Sequence, residues 1–226
     1  MGSPLHWEKF SVLGYSFGGS LAVAFAEFFP ERVEKLVLIA PCGVAETKLL
    51  PLGQRLSRMG LVPVWLEKWA AKRRSKVVGK LYERKEQGRT GLSMAALVSW
   101  QTKNHKGYFE SFVRSWREGG MFEQEARWAR ISRLGIETAV LLGGRDAVLP
   151  IMLAEKMREL LGGDRVKVEV LENGEHDMVT MMPKEVARFV KGIWQHSSAD
   201  SVVVEGITED EEEGNLEVES TVHAES

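Results

Sequence analysis

The sequence predicts an α/β fold in which about four parallel strands carry helices and a long helical insertion interrupts the sheet-forming part. Three observations predict it. Short apolar runs with strand character alternate with helix-like runs in residues 1–43 and again in residues 130–196. Glycine-rich and polar turns fall just past the carboxyl ends of those strands, where open α/β sheets gather their ligand sites. Between the two blocks, residues 44–129 lose the alternation and read as helices broken by Pro51, Pro63, Gly88 and the pair Gly119-Gly120.

The first strand is Lys9-Phe10-Ser11-Val12-Leu13, which reads as short and buried. Gly14-Tyr15-Ser16-Phe17-Gly18-Gly19 follows, and then an Ala- and Phe-rich helix from Ser20 to Phe29 that stops at Pro30. A G-x-S-x-G between a strand and a helix predicts a nucleophile elbow. Such a turn strains the backbone of Ser16, so Gly14 and Gly18 are expected where side chains would not fit. Ser16 would then stand clear of the sheet beside the positive end of the helix. Taken alone, the motif also fits a glycine-rich turn that merely opens a helix.

A serine hydroxyl needs a base to take its proton, and a histidine base needs a carboxylate to fix its tautomer. Of five histidines (His6, His105, His176, His196 and His223), only His176 follows a convincing strand, Val166 to Leu171, in the turn Glu172-Asn173-Gly174-Glu175-His176-Asp177. Asp146 is the carboxylate candidate. It follows the strand Thr138-Ala139-Val140-Leu141-Leu142 after the turn Gly143-Gly144-Arg145. Asp146 also fits a cap or turn residue for a helix from Pro150 to Leu161, and Asp177 is a second carboxylate, although a neighbour of His176 in the chain points elsewhere as a rule. Strand–Ser–helix, strand–Asp–helix and strand–His–helix in that order make the catalytic reading the stronger one.

These residues resemble an α/β-hydrolase with a helical cap, from about Trp7 to Gln195. The resemblance rests on Lys9 to Gly19, on Leu36-Val37-Leu38-Ile39-Ala40-Pro41, on Leu142-Gly143-Gly144-Arg145-Asp146 and on Gly174-Glu175-His176-Asp177. The fold it implies is the carboxyl-terminal part of an α/β-hydrolase sheet with residues 44–129 as an inserted cap. It further implies that Ser16 attacks an acyl carbon of a small ester or amide, that His176 acts as base and then acid, that Asp146 orients it, and that the Phe17 amide binds the oxyanion. Peptidases and carbon–carbon bond hydrolases share this layout, so the bond cleaved stays open. A serine at the elbow disfavours epoxide and haloalkane chemistry.

The chain departs from the family in one respect. Members have several strands before the elbow and a second oxyanion donor, often beside a His-Gly pair, whereas no histidine here precedes a glycine. The expectation is an amino-terminally shortened hydrolase. Loss of one oxyanion donor costs about 3 kcal/mol of transition-state stabilisation. An uncovered sheet edge would favour self-association. The competing expectation is a catalytically weak protein that binds a ligand or partner.

Composition bounds the rest. In 226 residues, 44% hydrophobic, there is enough apolar material for one core and an accessory region. The single cysteine, Cys42, excludes an internal disulfide and fits the cytoplasm, and it reads as a packing residue. No apolar run reaches membrane-spanning length, and position 6 is His6 where a myristoylation signal wants Ser or Thr. No metal-ligand spacing, dinucleotide fingerprint or phosphate loop occurs, so neither metal nor cofactor is expected, and no nucleic acid.

Five of seven tryptophans fall in the insertion: Trp65, Trp69, Trp100, Trp116 and Trp128. They read mainly as the insertion's own core, or with Phe109, Phe112 or Met121 as the lining of an apolar pocket. Residues 44–129 hold 17 Lys and Arg against 8 Asp and Glu, a net of +9. The cluster Lys72-Arg73-Arg74-Ser75-Lys76 suggests nucleic acid or anionic lipid, but without a recognition motif it reads as a solvated helix face. Residues 197–226 hold 10 acids and no Lys or Arg, which predicts a disordered acidic tail.

Overall fold

The computed structural model describes residues 8–70, 94–163 and 166–195. The tail, the cluster Lys72 to Lys76 and Gly88 lie outside the described residues. Four strands form one sheet in the order of the chain: β1 (Phe10–Tyr15), β2 (Val33–Ile39), β3 (Glu137–Gly143) and β4 (Lys167–Leu171). All three pairings are parallel. Consecutive strands are neighbours, so all four carboxyl ends open along one side of the sheet. Ser16, Cys42, Asp146 and His176 follow β1, β2, β3 and β4 in turn.

The central strands are apolar almost throughout because both faces are covered. Leu36, Val37, Leu38 and Ile39 of β2, and Ala139, Val140, Leu141 and Leu142 of β3, are all buried. β1 is different. The run read as a buried strand forms the margin of the sheet among the described residues, the uncovered edge also expected above, with Leu13 45% exposed. A short apolar run reads the same at the centre and at the margin of a sheet, so composition could not separate the two.

The helix α1 (Phe17–Phe28) follows β1, while α7 (Leu153–Leu161), α8 (Met178–Met181) and α9 (Pro183–Gln195) accompany the last two strands. Lys35 on β2 is buried, yet its Nζ donates to the Ile193 carbonyl of α9 at 2.6 Å and lies 3.2 Å from the Glu137 carboxylate of β3. One ammonium thus ties two strands to a helix.

The insertion is built from α2 (Leu52–Arg58), α3 (residues 64–70), α4 (Met94–Asn104), α5 (Tyr108–Glu118) and α6 (Glu125–Ile131). Two arginines hold it. Arg58 donates from Nε to Thr47 Oγ1 at 2.9 Å, reaches the Trp116 and Arg117 carbonyls at the carboxyl end of α5, and stacks 4.8 Å from the Phe122 ring centre. Arg117 donates to the Val62 carbonyl at 2.5 Å and to Glu67 at 2.9 Å. On α1, Glu27 accepts from Arg127 at 2.6 Å and also from Arg130, which clips α1 to α6. Burial pushes the Glu27 carboxyl up, but the two arginines outweigh it and hold it below its ordinary value.

The tryptophans do not form one core. Trp65, Trp69 and Trp100 are 70%, 54% and 57% exposed, whereas Trp128 is completely buried. Trp116 stands edge-on to Phe122, with ring centres 5.0 Å apart. Helical spacing places Trp65 and Trp69 on one face but does not say whether that face turns inward. Moreover, α6 runs through the expected boundary at residue 129, and its Trp128 and Ile131 pack into the core of the sheet.

Candidate active site

Ser16 has φ 52° and ψ −120°, a conformation that side-chain-bearing residues rarely adopt and that costs about 1–3 kcal/mol. Backbone hydrogen bonds hold it there. The Ser16 amide donates to the Ile39 carbonyl, and the Ser16 carbonyl accepts from the Gly19 and Cys42 amides, each at 2.9 Å. The end of β1 is thereby stitched to the end of β2 and to the first turn of α1.

The steric demand on the flanking glycines is not the symmetrical one expected. A Cβ at Gly14 would stand 2.5 Å from the Gly18 carbonyl oxygen and 2.7 Å from Gly19 Cα, so Gly14 has no room. At Gly18 a Cβ would meet nothing within 4 Å. Gly19 is the crowded position instead, 2.5 Å from Pro41 Cβ. Gly18 sits in the first turn of α1 with open space beside it, and Gly19 lets α1 approach the segment that follows β2.

His176 reaches across the ends of the strands. Its Nε2 lies 2.8 Å from Ser16 Oγ and its Nδ1 lies 2.8 Å from Asp146 Oδ2. With the proton on Nδ1, His176 donates to the carboxylate and accepts from the serine hydroxyl. The Asp146 side chain is 1% exposed. Its other oxygen accepts from the Val148 and Leu149 amides at 2.7 and 2.8 Å. Asp146 therefore closes its own turn rather than capping α7, whose first turn begins after Met152. Asp177 opens α8, and the imidazole's carboxylate partner is Asp146. The two turns are fastened together, since the Arg145 amide donates to the Gly174 carbonyl at 2.9 Å and the Gly144 amide to the Leu171 carbonyl at 2.8 Å.

Two neighbours were not assigned to the site from the sequence. Tyr15 donates its hydroxyl to the His176 carbonyl at 2.7 Å, with the rings 5.6 Å apart. Burial, and then the nearby Asp177, Asp146 and Cys42, push the Tyr15 phenol up to about 12. Cys42, read as a packing residue, places Sγ 3.9 Å from Ser16 Oγ. Burial pushes its thiol up despite the contact with Ser16. An aromatic residue one place before the serine was visible in the sequence, but its partner lies 161 residues away.

Phe17 opens α1, so its amide belongs to the first turn, where helix amides have no partner within the helix. Its ring lies beneath Gly119, where an added Cβ would come within 2.7 Å of it, and Ser20 Oγ donates to the Gly120 carbonyl at 2.6 Å. The glycine pair expected to break the insertion is also a second point, besides the Glu27 clip, where the insertion touches the elbow helix. Among the described residues, no three His, Cys, Asp or Glu side chains gather as a metal site would require. Among them, too, no helix is long and apolar enough to cross a membrane.

Comparison with known proteins agrees with this architecture. Residues 3–179 match the family model described as alpha/beta hydrolase fold, and the chain belongs to that family. Mouse monoacylglycerol lipase ABHD6 is 24% identical over 197 residues, covering 82% of this chain and 55% of the lipase. The chain thus spans about half the length of the curated relatives it matches. Among solved structures, a variant of the meta-cleavage product hydrolase CumD from Pseudomonas fluorescens shares the fold with a TM-score of 0.56 and 23% identity, over 86% of this chain and 67% of that one. A variant of haloalkane dehalogenase DatA from Agrobacterium tumefaciens does so at 0.60 and 12%, over 82% of this chain and 66% of that one.

The elbow geometry makes a prediction with opposite signs at neighbouring glycines. Gly14→Ala and Gly19→Ala should each destabilise the protein by about 1–3 kcal/mol through unrelieved overpacking. Gly18→Ala should leave stability within about 0.5 kcal/mol or raise it, because the site is open and helical. Urea denaturation of the three variants decides this, and a large loss at Gly18 would refute the open-space reading.

Tyr15 makes a prediction about pH. Its phenol titrates at about 12 in the fold and near 10 in the unfolded chain, so folding favours the neutral form. The stability it contributes is complete below pH 10 and is lost as pH rises from there toward 12. Melting temperatures between pH 9 and 11.5 should therefore fall less steeply for Tyr15→Phe than for the wild type. Parallel curves would show that Tyr15 is not held neutral.

Proposed function

We propose that this chain is a serine hydrolase that cleaves a small ester or amide through an acyl-enzyme on Ser16, with residues 44–129 as a cap above the site. The unbroken path from Ser16 Oγ through His176 to Asp146, 2.8 Å at each step, carries this reading. As Ser16 attacks the acyl carbon, its proton passes to His176 Nε2. The buried carboxylate of Asp146 steadies the resulting imidazolium, and the two amides on its other oxygen keep it from turning away. The Phe17 amide, at the positive end of α1, stabilises the oxyanion. His176 then gives its proton to the leaving group, and in the second half it activates the water that releases the acid.

Fold does not fix substrate, since proteins named as a dehalogenase and a meta-cleavage product hydrolase share this one. The relative named monoacylglycerol lipase makes a lipid ester the first class to try. A free thiol at Cys42 suits a reducing compartment, and we place the protein in the cytoplasm.

A fluorophosphonate probe should label the protein at Ser16, Ser16→Ala should abolish labelling, and Asp146→Asn should slow it by on the order of 10³–10⁴-fold. Undiminished labelling of Ser16→Ala would remove the assignment.

A second reading, a catalytically weak protein that binds a partner, has its own observation. The edge strand β1 leaves Leu13 exposed, and Leu21 and Phe28, seven residues apart on α1, are 52% and 67% exposed. Such an edge should drive self-association. Light scattering across a concentration series should show oligomers that Leu21→Glu with Phe28→Glu dissolves. A concentration-independent monomer would refute it.

A further inference from the structure

We propose that Lys156 is a positioning residue that locks the neck of the insertion and so sets how the stretch from Gly119 to Phe122 lies beside Ser16. The geometry stands on the neck alone, and its consequence for substrate rests on the hydrolase reading above.

The insertion leaves the sheet just after β2 and returns through the start of α6, and its two ends meet. The Glu123 amide donates to the Ala45 carbonyl at 3.1 Å and the Gln124 amide to the Gly43 carbonyl at 2.8 Å. The Thr47 amide donates to Glu123 Oε1, also at 3.1 Å. Both ends have a constrained backbone. Gly43 has φ 138°, and an added Cβ there would stand 2.5 Å from Trp128 Nε1. Glu123 has φ 55°, which side-chain-bearing residues hold only where their surroundings enforce it. A neck closed by so few bonds opens locally at little cost unless something outside it pins both ends.

Lys156 supplies the pin. It stands on α7, the helix that follows the Asp146 turn. On the outgoing end its Nζ donates to the carbonyl of buried Val44 at 3.1 Å and lies 3.5 Å from Glu46 Oε1. On the returning end it donates to Glu125 Oε1 at 2.6 Å. Three oxygens thus surround an ammonium that has three protons to donate. The Glu125 carboxylate, helped by Glu46, holds Lys156 above the ordinary lysine value although burial opposes it.

A fully solvated ion pair contributes little, but this one differs in two ways. Each of its three side chains is about one-third exposed, and one acceptor is a main-chain carbonyl that cannot swing away. The returning end is also continuous with Gly119 to Phe122. There an added Cβ at Gly119 would come within 2.7 Å of the Phe17 ring, and Ser20 donates to the Gly120 carbonyl. Movement at Glu123 to Glu125 therefore reaches the neighbour of Ser16 through a few residues of chain.

The test is hydrogen–deuterium exchange of the full chain. Lys156→Met keeps an unbranched apolar stem and helix propensity but removes the charge. It should raise exchange across residues 119–125 by about fivefold or more and leave β2 and β3 unchanged. Glu125→Gln should act in the same direction and add little in the Lys156→Met background, because both touch one contact. The Glu125 variant also decides the matter if Lys156→Met fails to fold. On p-nitrophenyl octanoate, Lys156→Met should raise KM by about threefold or more with kcat within about twofold, the mark of lost binding rather than lost chemistry. Unchanged exchange in the folded variants, a rise that spreads through β2 and β3, or effects of the two substitutions that simply add would overturn the proposal. So would raised exchange with an unchanged KM, since Lys156 would then support the neck without positioning anything for the substrate. A wild type whose Ser16 does not react with the fluorophosphonate would count against the hydrolase reading, and the exchange comparison would still decide the lock.

Discussion

The backbone of Ser16 is the constraint on which the site depends. Its φ of 52° is affordable only because β2 supplies an acceptor, at Ile39, and the segment just after β2 a donor, at Cys42, at the place where β1 ends. Those bonds exist because β1 and β2 run parallel in a register that sets Tyr15 opposite Ile39. The ladder therefore does more than hold two strands together. It fixes the turn that lifts the hydroxyl out of the sheet, and it brings the α1 amides to the same place. Pro41 adds a steric wall that leaves room for α1 only because residue 19 is glycine.

Asp146 and His176 are set by a different means. Their turns follow neighbouring strands, and two backbone hydrogen bonds lock one turn to the other. A carboxylate that accepts two amides and one imidazole N–H has little freedom, and its burial concentrates its effect on that imidazole. The remaining freedom lies in the His176 loop as a whole. Tyr15 restrains it, because a neutral phenol beside Ser16 holds the His176 carbonyl. Ser16 and His176 are thus linked twice, once through Oγ and Nε2 and once through the residue before the serine.

Much of this was legible in the sequence because it is local. Strand, glycine turn and helix follow one another within a few residues at Ser16, Asp146 and His176, and their order along the chain matches their order across the sheet. What was not legible depends on contacts between distant segments. The roles of Gly18 and Gly19 could not be separated, because the difference is Pro41, which belongs to another strand end. Tyr15 looked like a spacer because its partner lies 161 residues on. Trp65 and Trp128 looked alike, yet one is 70% exposed and the other fully buried, because helical spacing gives a face but not its direction.

The arginines show why the insertion separates into two sides. Arg58 and Arg117 both act at the carboxyl end of α5, where helix carbonyls lack partners and the helix dipole favours cations. This holds the stretch from Gly119 to Phe122 over Phe17 and Ser20. Cations drawn inward in this way leave Arg55 and Lys68, with the apolar side chains beside them, facing out. Position along the helix therefore decides which cations bind the insertion's own segments together and which stay at its surface, Lys68 beside Glu110.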